Sequence, residues 1–256
     1  MSWNPDQYLK FSAPRFRPAQ DLVARITHER AKTIYDLGCG TGNVTELLAE
    51  RWPEARVTGI DDSGAMLEKA RATLPQIEWV QQSIAAWQPD TPADIIFSNA
   101  ALHWLDDHAS LFPKLFSFLA PNGILAVQMP RNFGAPSHTL VTEAARSGPW
   151  ADTLAHLIKP APVAEPGTYY DLLASQAQSI DLWETSYLQA LSGPNPVKEW
   201  TKGTWLKPFL DALQEPHKLA FEEDYARRVE QAYPPRADGI TLFPFKRLFI
   251  VARKAA

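Results

Sequence analysis

At 256 residues with 45% apolar content, the chain can bury a full core, as one large domain or one carrying an elaborated subdomain. A net charge of −4 and a pI near 5.9 supply no basic field, which argues against nucleic acid or an anionic membrane as partner. One cysteine excludes an internal disulfide, no apolar run approaches the ~18 residues of a membrane span, and Met1–Asp6 is no signal peptide, so a cytoplasmic, water-soluble protein is expected.

Residues 1–17, with Trp3, Pro5, Tyr8, Phe11, Pro14, Arg15, Phe16 and Arg17, are polar, proline-broken and aromatic and read as an irregular arm. Two arginines beside three aromatics suit the grip of an anionic small molecule, or form a solvated basic pair. Pro18 fits a first helical position, with Leu22, Val23 and Ile26 on one face. Ile34–Leu37 is an apolar run interrupted by Asp36, followed by Gly38, Gly40 and Gly42 and then by helical spacing at Val44, Leu47 and Leu48. Strand over 33–37, tight turn and helix over 43–51 follow. Alternate glycines permit unusual dihedrals and remove the Cβ atoms that would block a ligand at a helix N-terminus. Residue 43 is Asn, so the spacing is not the dinucleotide fingerprint, and no Gly-Lys-Ser/Thr phosphate cradle is present.

Arg56–Asp61 is a second short strand ending in an acid. A carboxylate at the end of that strand can accept two ribose hydroxyls; Asp61, Asp62 and Ser63 can equally cap the helix over 64–73, and the three together can fill both roles. Ile77–Gln81 reads as the third strand and Ala93–Ser98 as the fourth, buried on both faces. The fourth strand runs into Asn99 and His103. In a doubly wound sheet these polar residues fall at the switch point between the first and fourth strands, where ligands sit. His103 there is a candidate base, orienting group or cap. A helix over about 109–119, a turn at Pro121-Asn122-Gly123 and a fifth strand over 124–129 complete the βαβ series. Prolines and short amphipathic pieces dominate 130–170. Gln178–Leu188 and Leu248–Ala252 read as the last two strands. More than fifty residues between them exceed any ordinary connection and read as an inserted helical cap or an oligomer contact. The expected organisation is an arm (1–17), an α/β core (18–192 and 241–256) and a helical cap (193–240).

The Asp36-x-Gly38-x-Gly40-x-Gly42 run resembles motif I of the Rossmann-like class I methyltransferases that use S-adenosylmethionine. More selective stretches resemble the trans-aconitate 2-methyltransferase family over nearly the whole chain. They are Trp3-Asn4-Pro5-x-x-Tyr8-Leu9-x-Phe11, Asn99-Ala100-x-Leu102-x-Trp104-Leu105, Leu125–Pro130, Tyr169–Leu173 and Arg247–Arg253. The resemblance implies a seven-stranded, mostly parallel sheet with an antiparallel last strand and an inserted helical cap. It also implies methyl transfer from S-adenosylmethionine, without a metal, to a carboxylate of a small tricarboxylate. For the cofactor it implies Asp36, Gly38, Gly40, Gly42, Asp61, Met66, Ser83, Ile84 and Asn99. Ser83 departs from the acid many relatives carry before the Ile. For the trianion the candidates are Arg15, Arg17, Lys207 and Arg247, with hydroxyls from Tyr8, Tyr169, Tyr170 and Thr204. Asn99 and His103 then line the transfer site and orient the attacked carboxylate, because an ionised acid needs no general base. Cys39 is expected to pack rather than react. No macromolecular partner is implied; a monomer or weak homodimer is expected.

Overall fold

A computed structural model describes residues 12–256, with side chains from Phe16 onward. Helix α1 spans Ser12–Ala24 and contains Pro18. The expected irregular arm to residue 17 with Pro18 opening the helix is thus corrected. Pro14 falls in the first helical turn, where a missing N–H costs nothing, so the helix begins earlier and tolerates Pro18 within it.

The core elements follow in order: β1 (Thr33–Leu37), α2 (Asn43–Arg51), β2 (Arg56–Asp61), α3 (Gly64–Thr73), β3 (Glu78–Gln81), β4 (Ala93–Asn99), a single 3-10 turn (Leu102–Trp104), α4 (His108–Ser117) and β5 (Leu119–Pro130). Then come α5 (Pro136–Ser147), α6 (Ala151–Leu154), α7 (Pro166–Leu173) and β6 (Ala177–Leu191). Three helices, α8 (Pro196–Lys202), α9 (Lys207–Asp211) and α10 (His217–Ala232), precede β7 (Thr241–Lys254). The sheet has seven strands in the order β3-β2-β1-β4-β5-β7-β6, parallel from β3 through β5 and antiparallel at its last strands. The order reverses between β1 and β4, which makes their carboxyl ends the switch point. Ser98 Oγ donates to the Leu37 carbonyl at 2.8 Å and ties the two strand ends together.

The expected turn at Pro121-Asn122-Gly123 lies inside β5. Pairing passes from Ala93 opposite Leu119 straight to Ile95 opposite Ile124, so the intervening residues bulge from the ladder. Asn122 takes the left-handed conformation (φ 63°). Turn-forming residues produce an irregularity in a strand when both flanks still find ladder partners.

The chain divides into two compact units. One comprises Arg15–Pro130, Pro162–Thr185 and Leu248–Ala256 and carries the parallel strands. The other contains Arg131–Ala161 and Ser186–Arg247. Its core is aromatic: Trp150, Trp200, Phe209, Phe221, Tyr225, Phe243 and Phe245 pack with Val141, Leu154 and Leu206. The described residues include no helix long and apolar enough to cross a membrane.

Candidate active site

The glycine loop is strung from the end of β2. Gly38 and Cys39 donate their N–H groups to the Ile60 carbonyl at 2.7 and 3.1 Å. Gly40 N–H donates to Asp61 Oδ2 at 2.9 Å, and the other Asp61 oxygen accepts from Ser63 N–H at 2.9 Å. Ser63 Oγ caps α3, so the capping role falls to serine. Asp61 holds two backbone donors, and each of its oxygens keeps one lone-pair direction for a ligand.

Gly38, Gly40 and Gly42 all lie in the left-handed region, at φ 76°, 56° and 85°. Their surroundings differ. A Cβ on Gly38 would sit 2.2 Å from the Ala101 methyl, so the loops after β1 and β4 touch there. Ile84 closes the same spot from the segment after β3, 3.6 Å away. A Cβ on Gly42 would strike Trp79 at 2.6 Å. A Cβ on Gly40 would meet nothing within 4 Å. Steric pressure inside the protein therefore explains Gly38 and Gly42, whereas Gly40 borders open space.

Two carboxylates flank this loop. Asp36 is buried at the end of β1, accepting a 2.6 Å hydrogen bond from Thr45 Oγ1. Burial, opposed by the Thr45 hydrogen bond and reinforced by the charge of Asp61, pushes its pKa up to about 7. Burial likewise raises Asp61. Neither makes an ion pair among the described residues. The pair makes a site that favours a cation. Cys39, buried beside both, has its thiol pushed far up by burial and their charges, which leaves it an inert packing residue.

Because the folded-state pKa of Asp36 exceeds the unfolded value of 3.8, the folded state binds more protons between these values. Its contribution to stability is fully present below pH ~4 and is lost as pH rises through ~7. Asp36→Asn keeps an acceptor for Thr45 and removes the titration. Denaturant unfolding at pH 4.5 and 7.5 will show wild type losing a few kcal/mol across that window (~1.4 per pKa unit) and the variant losing less. Equal losses in both would remove Asp36 as the source.

Asn99 ends β4 with its Oδ1 buried and without a partner. The next residue, Ala100, is held at φ 55°, with its N–H on the Gln128 carbonyl at 2.9 Å. A strained backbone and an unpaired acceptor at a switch point mark a place shaped for a ligand. His103 lies in the 3-10 turn, buried, its ring 4.6 Å from that of Trp104. Met66 is partly buried on α3 and Ser83 is exposed beyond β3. The cofactor candidates, Asn99 and His103 thus all fall within one unit.

The substrate candidates are divided. Thr204, Lys207 and Arg247 belong to one unit, Arg17, Tyr169 and Tyr170 to the other; Tyr8 and the Arg15 side chain lie outside the described residues. Arg247 is buried with its guanidinium 4.8 Å over the Phe245 ring. Lys207 pairs with Asp211 at 2.6 Å, Arg17 stands exposed near Asp21, and Tyr170 is half exposed. Thr204 Oγ1 donates to the Thr201 carbonyl at 3.3 Å. Tyr169 is fully buried, its hydroxyl accepting from Ala164 N–H at 3.1 Å and lying 2.7 Å from His108 Nδ1. His108 Nε2 donates to the Leu102 carbonyl at 2.9 Å. No group of acidic, histidine or cysteine side chains that could hold a metal occurs among the described residues.

The sequence matches the family described as a methyltransferase domain over residues 34–123. It is 50% identical to a trans-aconitate 2-methyltransferase of Azoarcus sp. (strain BH72), covering 98% of each chain. The chain belongs to the trans-aconitate 2-methyltransferase family. A second member, from Paracidovorax citrulli, is 48% identical over 99% of each chain. The fold is shared with a phosphoethanolamine N-methyltransferase of Haemonchus contortus solved with S-adenosyl-L-methionine. That match has a TM-score of 0.56 and 13% identity, covering 94% of this chain and 53% of that one. Against this family background, residues with no sequence signal emerge at the site. Ala101 sets Gly38, Trp79 sets Gly42 and Thr45 holds Asp36. Only their spacing from the glycine loop could have pointed to them.

Proposed function

We propose that the chain transfers the methyl group of S-adenosylmethionine to one carboxylate of trans-aconitate, forming a monomethyl ester and S-adenosylhomocysteine. The observation that carries this reading is near-full-length identity of 50% to a trans-aconitate 2-methyltransferase. The cation-favouring pair Asp36 and Asp61, the open face of Gly40 and the unpaired Asn99 Oδ1 fit the cofactor. When bound, it supplies an electrophilic methyl group on a positively charged sulfur. Asp61 would hold the ribose hydroxyls, Gly40 would let the backbone approach closely, and Met66, Ser83 and Ile84 would border the base. Asn99 and His103 orient rather than move protons, since the attacked carboxylate is ionised at neutral pH. Their contribution is positioning and exclusion of water. The helices α8–α10 serve in this reading as a cap that selects the acid, and a cytoplasmic location, as monomer or weak homodimer, goes with it.

Arg247 is the cation assigned to a second carboxylate of the substrate, a buried guanidinium being suited to bidentate binding. Formation of S-adenosylhomocysteine will be saturable with trans-aconitate and much weaker with cis-aconitate, citrate, isocitrate and itaconate. Arg247→Ala will raise KM for the acid by about 100-fold or more, as loss of a buried charged hydrogen bond costs ~3 kcal/mol, while cofactor Kd stays unchanged. No turnover of any of the five acids would refute the substrate assignment. An unaltered KM in Arg247→Ala would take that residue out of it.

A further inference from the structure

A chain of buried polar groups in the unit containing Arg131–Ala161 and Ser186–Arg247 ends at a histidine. Lys246 N–H donates to Asn132 Oδ1 at 3.0 Å, which fixes the amide so that Nδ2 donates to Ser137 Oγ at 3.2 Å. Ser137 Oγ lies 3.0 Å from His138 Nδ1. The Ser137 backbone is clamped as well. Its N–H donates to the Tyr233 hydroxyl at 3.2 Å, and its carbonyl accepts from the Tyr225 hydroxyl at 2.9 Å. Asn132, Ser137 and His138 are 3%, 0% and 7% exposed.

The serine oxygen already accepts from Asn132, and His138 Nδ1 is the other polar atom within its reach. The hydroxyl proton therefore goes to Nδ1, which leaves the imidazole proton on Nε2. Burial lowers the His138 pKa to about 3, so the ring stays neutral at any working pH. Its Nε2–H makes no hydrogen bond among the described residues.

The ring of Trp205 lies 5.2 Å from His138 and 5.3 Å from Phe133, and Phe133 is 5.4 Å from His138. The Trp205 Nε1–H is buried without a partner, a state that ordinarily destabilises a fold. Two uncommitted N–H donors thus stand on neighbouring aromatic rings. The polar chain that fixes one of them starts at Lys246, next to Arg247 in sequence.

We propose that Trp205 Nε1–H and His138 Nε2–H together receive one carboxylate of the acid substrate, as neutral donors that set its orientation. This rests on the acid-methylating reading. Neutral donors align a carboxylate by hydrogen bonds alone and add no charge to the site. The class of ligand is a short, planar polycarboxylic acid, one of whose carboxylates would bridge the N–H edges of the two touching rings.

The test uses the full-length protein labelled with 15N at tryptophan and histidine, saturated with S-adenosylhomocysteine and titrated with trans-aconitate. Trp205→Phe identifies the indole resonance by its disappearance. His138→Gln identifies the imidazole resonances by their disappearance. The expected result is a saturable shift of the Trp205 N–H, an Nε2-protonated His138, and a roughly tenfold rise in acid KM for Trp205→Phe with cofactor Kd unchanged. Ser137→Ala, which releases the tautomer, will raise the same KM. A Trp205 resonance unmoved at saturating acid, or an Nδ1-protonated His138, overturns the proposal, as does an unchanged KM in Trp205→Phe. Should Trp205→Phe fail to fold, the histidine spectrum and Ser137→Ala still decide. If the indole shifts but wild type methylates no acid, the acid site stands and the methylation reading falls.

Discussion

Gly40→Ala will fold with a melting temperature within a few degrees of wild type and bind S-adenosylmethionine at least ~100-fold more weakly. The added methyl meets nothing within 4 Å in the protein, so the folded state suffers only the left-handed backbone cost, ~1–2 kcal/mol, or a few degrees in a chain this size. The space it enters is the one proposed above for the cofactor. Gly38→Ala separates the two effects. There the new Cβ falls 2.2 Å from the Ala101 methyl, which has no rotamer to yield. Overpacking of ~1–3 kcal/mol adds to the backbone term, so this variant will melt substantially lower. Calorimetry of cofactor binding and thermal melts on both variants check the pair. Wild-type affinity in Gly40→Ala would show that the open face of the loop is not the cofactor's.

Asp61→Ala will weaken cofactor binding by about 100–1,000-fold, with a smaller loss in stability. The carboxylate serves two ends at once. It holds Gly40 N–H and Ser63 N–H, and its remaining lone pairs are the acceptors proposed for the ribose. Two charge-assisted hydrogen bonds from the low end of the ~1.5–3 kcal/mol range, about 3–4 kcal/mol together, convert to that loss at 1.4 kcal/mol per decade. Asp61→Asn separates the parts, since its amide oxygen can keep the Gly40 bond without the charge. Equal cofactor Kd in wild type and Asp61→Ala, by titration calorimetry, would unseat the ribose assignment.

The half of the molecule built by local rules was legible in the residues alone. Strand and helix bounds from Thr33 to Thr73 follow from apolar runs ending in acids and from glycine spacing, because both are properties of neighbours in sequence. The left-handed turn at Gly38 and the place of Asp61 at the end of β2 were legible for the same reason. The start of α1 was not, because proline restricts a helix differently in its first turn and in its interior, and Pro14 and Pro18 offered two starts. Nor was β5 through Asn122, where ladder partners on a distant strand overrode turn chemistry. The burial of Tyr169 against His108 was not legible either, because the two are 61 positions apart in sequence. The Asn132–Ser137–His138 chain sits in a proline-broken stretch without periodicity. Its meaning depends on Tyr225, Tyr233 and Lys246, which only the fold brings to it.

The division of the last strand has a consequence for synthesis. The unit that holds Asp36, Asp61 and Asn99 is completed by Leu248–Ala256, more than a hundred residues after its parallel strands have been made. A chain emerging from the ribosome presents those strands early but must produce the whole inserted segment before the sheet acquires β7. Domains usually fold in the order in which they are made; here the first-made part must wait for the last. Cutting the chain after Pro130 to isolate a cofactor-binding fragment will leave β5 with an uncovered edge, a template for self-association.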